Sequence, residues 1–175
     1  MSPKGRPEGE RAPQRGSAEG SPTSGKGRAA VPSPDVPVLD FIGARLVEWS
    51  SGHARVALPI EPRHLNRSGV VHGGLYAVLV DAAGGLSGLY TGDAEHPRKA
   101  FTLSLTTSFL DAAAHGTLLA TGTQRRSGRR VYFSTVEVTS DDGRLVAIGE
   151  GAFLYRASGA STRAAREPGS TDDTP

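Results

Sequence analysis

From Lys99 to Arg156 the chain holds a single hydrophobic rhythm, period two, and one earlier segment only has helical spacing; this imbalance most restricts the fold. "FTLSLTTSFL" alternates Phe101, Leu103, Leu105, Thr107 and Phe109 against Thr102, Ser104, Thr106 and Ser108. "GTLLATGTQRRS" and "RRVYFSTVEVTS" follow, and "DDG" turns the chain into "RLVAIGEGAFLYR", the Asp-Gly step being a hairpin signal. Upstream, "ARLVEWSSGHARVALPI" alternates on both sides of a Ser-Ser-Gly turn and reads as another hairpin. Between them, His72 to about Tyr90 places Leu75, Val78, Leu79, Ala82 and Leu86 at spacings of three and four, with Ala77, Val80 and Ala83 keeping the other side apolar. It reads as a helix buried almost all round, ending between Gly85 and Tyr90 where glycines accumulate. The fold class is α+β: a hairpin, one helix, then three or four antiparallel strands. One helix cannot cover such a sheet from both sides, so the sheet must curl around it or a partner chain must cover the rest. An oligomer is expected.

Composition sets the limits of that fold. Of 175 residues, 37% are hydrophobic and 22% charged, enough for one domain and its core. Residues 1–35 are Pro, Gly, Ser, Arg and Glu with little to bury, and 157–175 are similar, so both read as disordered tails around a domain at 36–156. The net charge of +2 comes mainly from Lys4, Arg6, Arg11, Arg15, Lys26 and Arg28. No aromatic residue interleaves with them and no recognition helix follows, so no nucleic-acid partner is expected. Without cysteine there is neither disulfide nor thiolate chemistry. No span of membrane length and no apolar signal segment is found, which gives a cytoplasmic location and no membrane partner as the default expectation.

Within the helical segment, "NRSGVVHGGLYAVLVDAAGG" (66–85) sets a carboxylate, Asp81, in an apolar run. Taken singly, such an Asp is usually an end-of-helix or locally satisfied residue, paired glycines a turn, and a lone His structural. Together they fit one chemistry. His72-Gly73-Gly74 directly before a helix offers unpaired backbone N–H groups and the positive end of the dipole to a developing oxyanion. Asp81 lies eight positions beyond Gly73, about 12 Å along a helix axis at roughly 1.5 Å per residue. A base and an oxyanion donor must each lie roughly 3 Å from their atoms of one carbonyl group. One chain cannot supply both. Two antiparallel copies of the helix can, giving two equivalent sites at a twofold interface.

The pattern N-x-x-G-x-x-H-G-G with an Asp eight positions after the first paired glycine resembles the hotdog-fold acyl-CoA thioesterases of the phenylacetyl-CoA thioesterase (PaaI-like) group, over the whole core to "GEGAFLYR". The resemblance implies an antiparallel sheet wrapped around one long helix, dimers pairing into homotetramers, hydrolysis of an acyl-CoA to carboxylate and CoA, and no cofactor. By position it makes Asp81 the base or nucleophile, Gly73 N–H the group that polarises the thioester carbonyl, and Asn66 a holder of the water or thioester. His72 and Gly74 complete the loop, and Thr102 stands where some members use a serine to orient the water.

"QRRSGRR" has two readings: a solvated hairpin turn about Gly128, or a cluster in which Arg125, Arg126, Arg129 or Arg130 bind CoA phosphates; the resemblance favours the second. His64, His96 and His115 show no partner and receive no role, and His53, His64 and His72 lack the ligand spacing of a metal site. Leu75, Val78, Leu86 and Leu89 are the expected lining of an aromatic or medium-chain acyl pocket. A non-catalytic acyl-CoA-binding module is the competing reading, disfavoured because a pure binder gains nothing from the carboxylate of Asp81 and bears its desolvation. A hotdog dehydratase or hydratase is disfavoured because its His-plus-acid motif is absent from the sequence.

Overall fold

The computed structural model of the chain describes residues 34–92 and 98–156. The two expected tails, apart from residues 34 and 35, lie outside the described residues, as does His96. The order of elements is α1 (Pro37–Ile42), β1 (Arg45–Ser50), β2 (His53–Pro59), a 3-10 turn (Pro62–His64), α2 (Gly73–Ser87), β3 (Ala100–Phe109), β4 (Thr117–Ser127), β5 (Val131–Thr139) and β6 (Leu145–Tyr155). The six strands form one antiparallel sheet in the order β1-β2-β4-β5-β6-β3, and α2 touches every one of them. This is the hotdog arrangement: one main helix with a sheet around it.

The helix lies close to the sheet because small residues meet where backbones approach. A Cβ on Gly122 of β4 would come within 2.1 Å of the Ala83 carbonyl oxygen, so only glycine lets α2 sit at this height. Leu79, Val80 and Ala83 of α2 are fully buried with Val56, Leu58 and Leu118 of the sheet, each large side chain contributing roughly 1.5–3 kcal/mol on burial. Trp49 Nε1 donates to the Leu86 carbonyl (2.8 Å) and the Tyr132 hydroxyl to that of Gly85 (2.6 Å), which fixes the last turn of the helix.

Three expectations are corrected. The helix is not buried all round: Tyr76, Leu79, Val80, Ala83, Gly84, Leu86 and Ser87 face the core, whereas Leu75, Val78 and Ala82 are half-buried on a flank that the chain itself leaves partly open. Leu86, expected in an acyl pocket, is therefore core. The alternation of β3 is also interrupted. A register shift between Thr102 and Ser104 pairs Thr102 with buried Phe153 and Phe101 with Leu154, so Thr102 joins Leu105 and Phe109 on the face toward α2. Finally, α1 precedes the first hairpin, starting at Pro37 and closed by Gly43 in the left-handed region (φ 72°).

Strand β3 ends the sheet. Its ten residues, "AFTLSLTTSF", carry no charge and no proline, and Phe101, Leu103 and Phe109 are each more than half exposed. An uncharged, apolar edge of this length is a template for strand pairing. Among the described residues no helix is long and apolar enough to cross a membrane, and no group of three or more His, Asp or Glu side chains is placed to hold a metal.

Candidate active site

The loop before α2 is built to leave one donor free. Asn66 folds residues 66–70 into a tight turn: its Oδ1 accepts from the N–H groups of Ser68 (2.8 Å) and Val70 (3.4 Å), its own N–H donates to Val70 O (2.7 Å), and Gly69 sits at φ 75°. Val71 N–H then bonds Ala113 O at 2.8 Å and His72 N–H bonds His64 O at 2.9 Å. His72 is the helix N-cap, in extended backbone, and its Nδ1 accepts from Gly74 N–H at 3.0 Å. Leu75 N–H turns back to His72 O (2.9 Å). Of the first three helical N–H groups, Gly74 and Leu75 are thus engaged inside the loop, and no described residue accepts from Gly73. The free donor points out of the positive end of a four-turn helix.

Asp81 lies on the helix flank, half-buried, and the Thr102 hydroxyl donates to its Oδ1 at 2.6 Å. The bulge in β3 makes this contact possible by turning Thr102 toward the helix. One carboxylate oxygen is held and oriented, and Oδ2 accepts from no described residue. The negative charge is felt nearby: the Tyr132 hydroxyl is pushed well above the ordinary tyrosine range by burial first, then by Tyr155 and by Asp81.

The site residues expected from sequence therefore fall into two groups. Asn66, His72, Gly73 and Gly74 share one loop, and Asp81 and Thr102 form a pair two helical turns away. Asn66 uses its carbonyl oxygen to hold the loop, and its amide nitrogen donates to no described residue. The arginines are split rather than clustered. Arg125 runs along the sheet face away from α2, its Nε bonded to Thr135 Oγ1 at 2.7 Å, and a bulge places exposed Arg126 opposite Phe133. Arg129 and Arg130 are exposed in the β4–β5 turn, where Arg130 O accepts from Tyr155 N–H. Two cations missed by sequence reasoning join this end of the sheet: Arg98 lies over the Tyr155 ring (5.1 Å) and Arg156 over that of Phe101 (5.9 Å). They come from opposite ends of the last strands, and no local pattern marks them.

Register relates the two regions. Thr102, Phe153, Tyr132 and Ser127 lie opposite one another across β3, β6, β5 and β4. The Asp81–Thr102 pair is therefore at the arginine-rich end of the sheet, three strand spacings or about 14 Å from β4 at roughly 4.8 Å per strand. A recess of about 570 Å³ opens beside the other group, lined by Phe41, Ile42, Leu65, Leu75 and Val78 together with His72 and Gly74.

Residues 68–147 match the model of the thioesterase superfamily. PA0474 of Pseudomonas aeruginosa, whose name places it provisionally among the esterases, is 31% identical over 119 residues, spanning 67% of this chain and 87% of that one. Among solved structures, conserved protein PA5202 of Pseudomonas aeruginosa is 30% identical with a TM-score of 0.64, covering 70% of this chain and 95% of its own. A variant of the phenylacetic acid degradation protein PaaI from Thermus thermophilus is 28% identical with a TM-score of 0.59, covering 68% and 98%. The chain belongs to the thioesterase superfamily, a hotdog-fold family of hydrolases acting on esters and thioesters.

Proposed function

We propose that the protein is an acyl-CoA thioesterase that works as an oligomer, each active site combining Gly73 of one chain with Asp81 of another. The observation that carries this reading is a separation. The free N–H of Gly73 and the oriented carboxylate of Asp81 are about 12 Å apart along one helix at roughly 1.5 Å per residue, too far for one carbonyl. The uncharged edge of β3 supports the second chain, since pairing two such edges continues the sheet and covers Phe101, Leu103 and Phe109. In this reading dimers pair further into a homotetramer.

The chemistry balances with water as the only co-reactant. Gly73 N–H stabilises the oxyanion as the carbonyl carbon is attacked, by a water that Asp81 Oδ2 deprotonates or by Asp81 itself, whose acyl anhydride water then hydrolyses. The C–S bond breaks, the sulfur leaves as CoA thiolate and takes up the proton drawn from water, and the acyl group leaves as a carboxylic acid that gives its remaining proton to solvent and becomes the carboxylate. Thr102 fixes which carboxylate oxygen faces the reaction, His72 holds Gly74 so that Gly73 stays exposed, and the amide nitrogen of Asn66 binds the water or thioester. Gly74 and the recess lined by Leu75 and Val78 take the acyl group, aromatic or medium-chain, while Arg126, Arg129 and Arg130, with Arg125 beside them on the outer face, receive the CoA phosphates.

Thiol release from a panel of acyl-CoAs tests the activity, and Asp81→Asn tests the site. Turnover should fall by roughly 10²–10⁴ for a lost base with acyl-CoA binding retained. If the panel is bound but never cleaved, the protein is an acyl-CoA-binding module instead. Mixing Asp81→Asn chains with chains lacking the Gly73 N–H should restore one site in each mixed dimer. No recovery after verified subunit exchange would place both groups in one chain.

A further inference from the structure

We propose that His64 is a positioning residue for catalysis, holding the Gly73 N–H at the angle the oxyanion requires; this rests on the thioesterase reading. His64 is buried at 3% exposure, and both ring nitrogens are used. Nδ1 accepts from Glu61 N–H at 2.9 Å, and Nε2 lies 2.9 Å from the Ile42 carbonyl. A backbone N–H can only donate and a carbonyl can only accept, so the ring is the neutral tautomer with its proton on Nε2. Arg63 Nε, 3.4 Å from that nitrogen, meets a donor with no lone pair left and makes only a contact.

The two tethers come from different segments, the end of α1 and the start of the 3-10 turn, and pin residue 64 between them. Its own carbonyl then accepts from His72 N–H at 2.9 Å, and the His72 ring accepts from Gly74 N–H. A relay of four bonded residues, Ile42, His64, His72 and Gly74, thus ends on either side of Gly73. No other side chain among the described residues makes polar contacts that reach the catalytic loop from α1. A misplacement of about 1 Å at a reacting group can cost on the order of 10²-fold in rate, so a buried ring that ties the loop to a carbonyl 22 residues upstream of itself affects turnover without touching substrate.

His64 also borders the recess beside His72, which makes direct substrate contact the rival explanation. The test uses the full chain. Steady-state thiol release is measured for His64→Ala and His64→Asn below their melting temperatures, together with the ¹⁵N amide signals of Gly73 and Gly74 in the free protein. His64→Ala should lower kcat by about 10- to 100-fold with KM within roughly a factor of two, and should shift or broaden the Gly73 and Gly74 signals. His64→Asn keeps an acceptor for Glu61 N–H and should recover part of the lost kcat. A folded His64→Ala variant with unchanged kcat, a loss confined to KM, or unmoved glycine signals would overturn the proposal. Should the alanine variant not fold, His64→Asn and His64→Gln, each keeping one tether, take its place; parent-like kcat and glycine signals in both would equally overturn it. If the parent cleaves no acyl-CoA, the thioesterase reading fails, and the amide signals still decide whether His64 sets the loop.

Discussion

Gly73→Pro removes one hydrogen-bond donor and almost nothing else. Gly73 is the first residue of α2, a position where proline is favoured because its missing N–H has no intrahelical partner. The residue before a proline must be extended, and His72 already is, at φ −63° and ψ 132°. There is room as well: a Cβ at position 73 meets only the Phe109 ring at 3.5 Å, an ordinary contact. The fold should therefore be kept or slightly stabilised, by about 0.4–1 kcal/mol through the unfolded chain. Loss of an oxyanion donor costs about 2.7–4 kcal/mol of transition-state stabilisation, on the order of 10²–10³ in kcat. Melting followed by circular dichroism and thiol release on the same sample separate the two effects. A Gly73→Pro protein that melts at or above the parent temperature yet keeps kcat within tenfold would refute the assignment of the oxyanion donor, because no unfolding could be blamed for masking it.

Packing and electrostatics give further expectations. Gly122→Ala must push α2 off the sheet, since its Cβ would stand 2.1 Å from Ala83 O; the cost should be about 1–3 kcal/mol, and the lengthened Thr102–Asp81 contact should lower kcat, so parent-like Tm and kcat would refute the close-contact argument. Replacing Arg129 and Arg130 by alanine should raise KM for acyl-CoA with little change in kcat, less so at high salt, and leave a thioester lacking the nucleotide unaffected; equal impairment of that short thioester would mark the turn as structural. The Tyr132 hydroxyl has a folded-state pKa raised above its unfolded value, so its contribution is complete below about pH 10 and is lost as pH rises further. Denaturant titrations should accordingly show the stability gap between parent and Tyr132→Phe narrowing above that pH, and a constant gap would show that burial does not hold the Tyr132 hydroxyl in its protonated form.

What could be read from sequence was whatever neighbouring residues decide. The helix that the spacing of Leu75, Val78, Leu79 and Ala82 predicts from His72 is there, starting at the residue after the His72 cap, and the period-two runs became four strands joined by turns at Gly128 and Gly143. Helix α1 escaped notice at six residues, although its Pro37 start and Gly43 stop were visible as a frame. His64 seemed partnerless because one of its partners lies 22 residues upstream. The β3 bulge escaped for a different reason: Phe101, Thr102, Leu103 and Ser104 alternate in sequence whether or not the register slips, and only pairing with Leu154 and Phe153 reveals that Thr102 faces the helix.

The same limit explains why the carboxylate in the apolar helix was visible but its setting was not. Asp81 follows Val80, which is fully buried, and precedes Ala82, which is not; the helix has a core face and a flank, and both are apolar. Hydrophobic spacing alone merges them into a helix that looks buried on every side, where a charge would carry a large desolvation cost. On the flank the cost is smaller, and Thr102 offsets part of it through a charge-assisted hydrogen bond. In the proposed dimer the apolar flank that one chain leaves half open meets a second surface, which brings the Gly73 loop of another copy. Leu75, Val78 and Ala82 pack with one side against the core of their own chain, and in that dimer the open side of Leu75 and Val78 faces the substrate recess while that of Ala82 faces the partner.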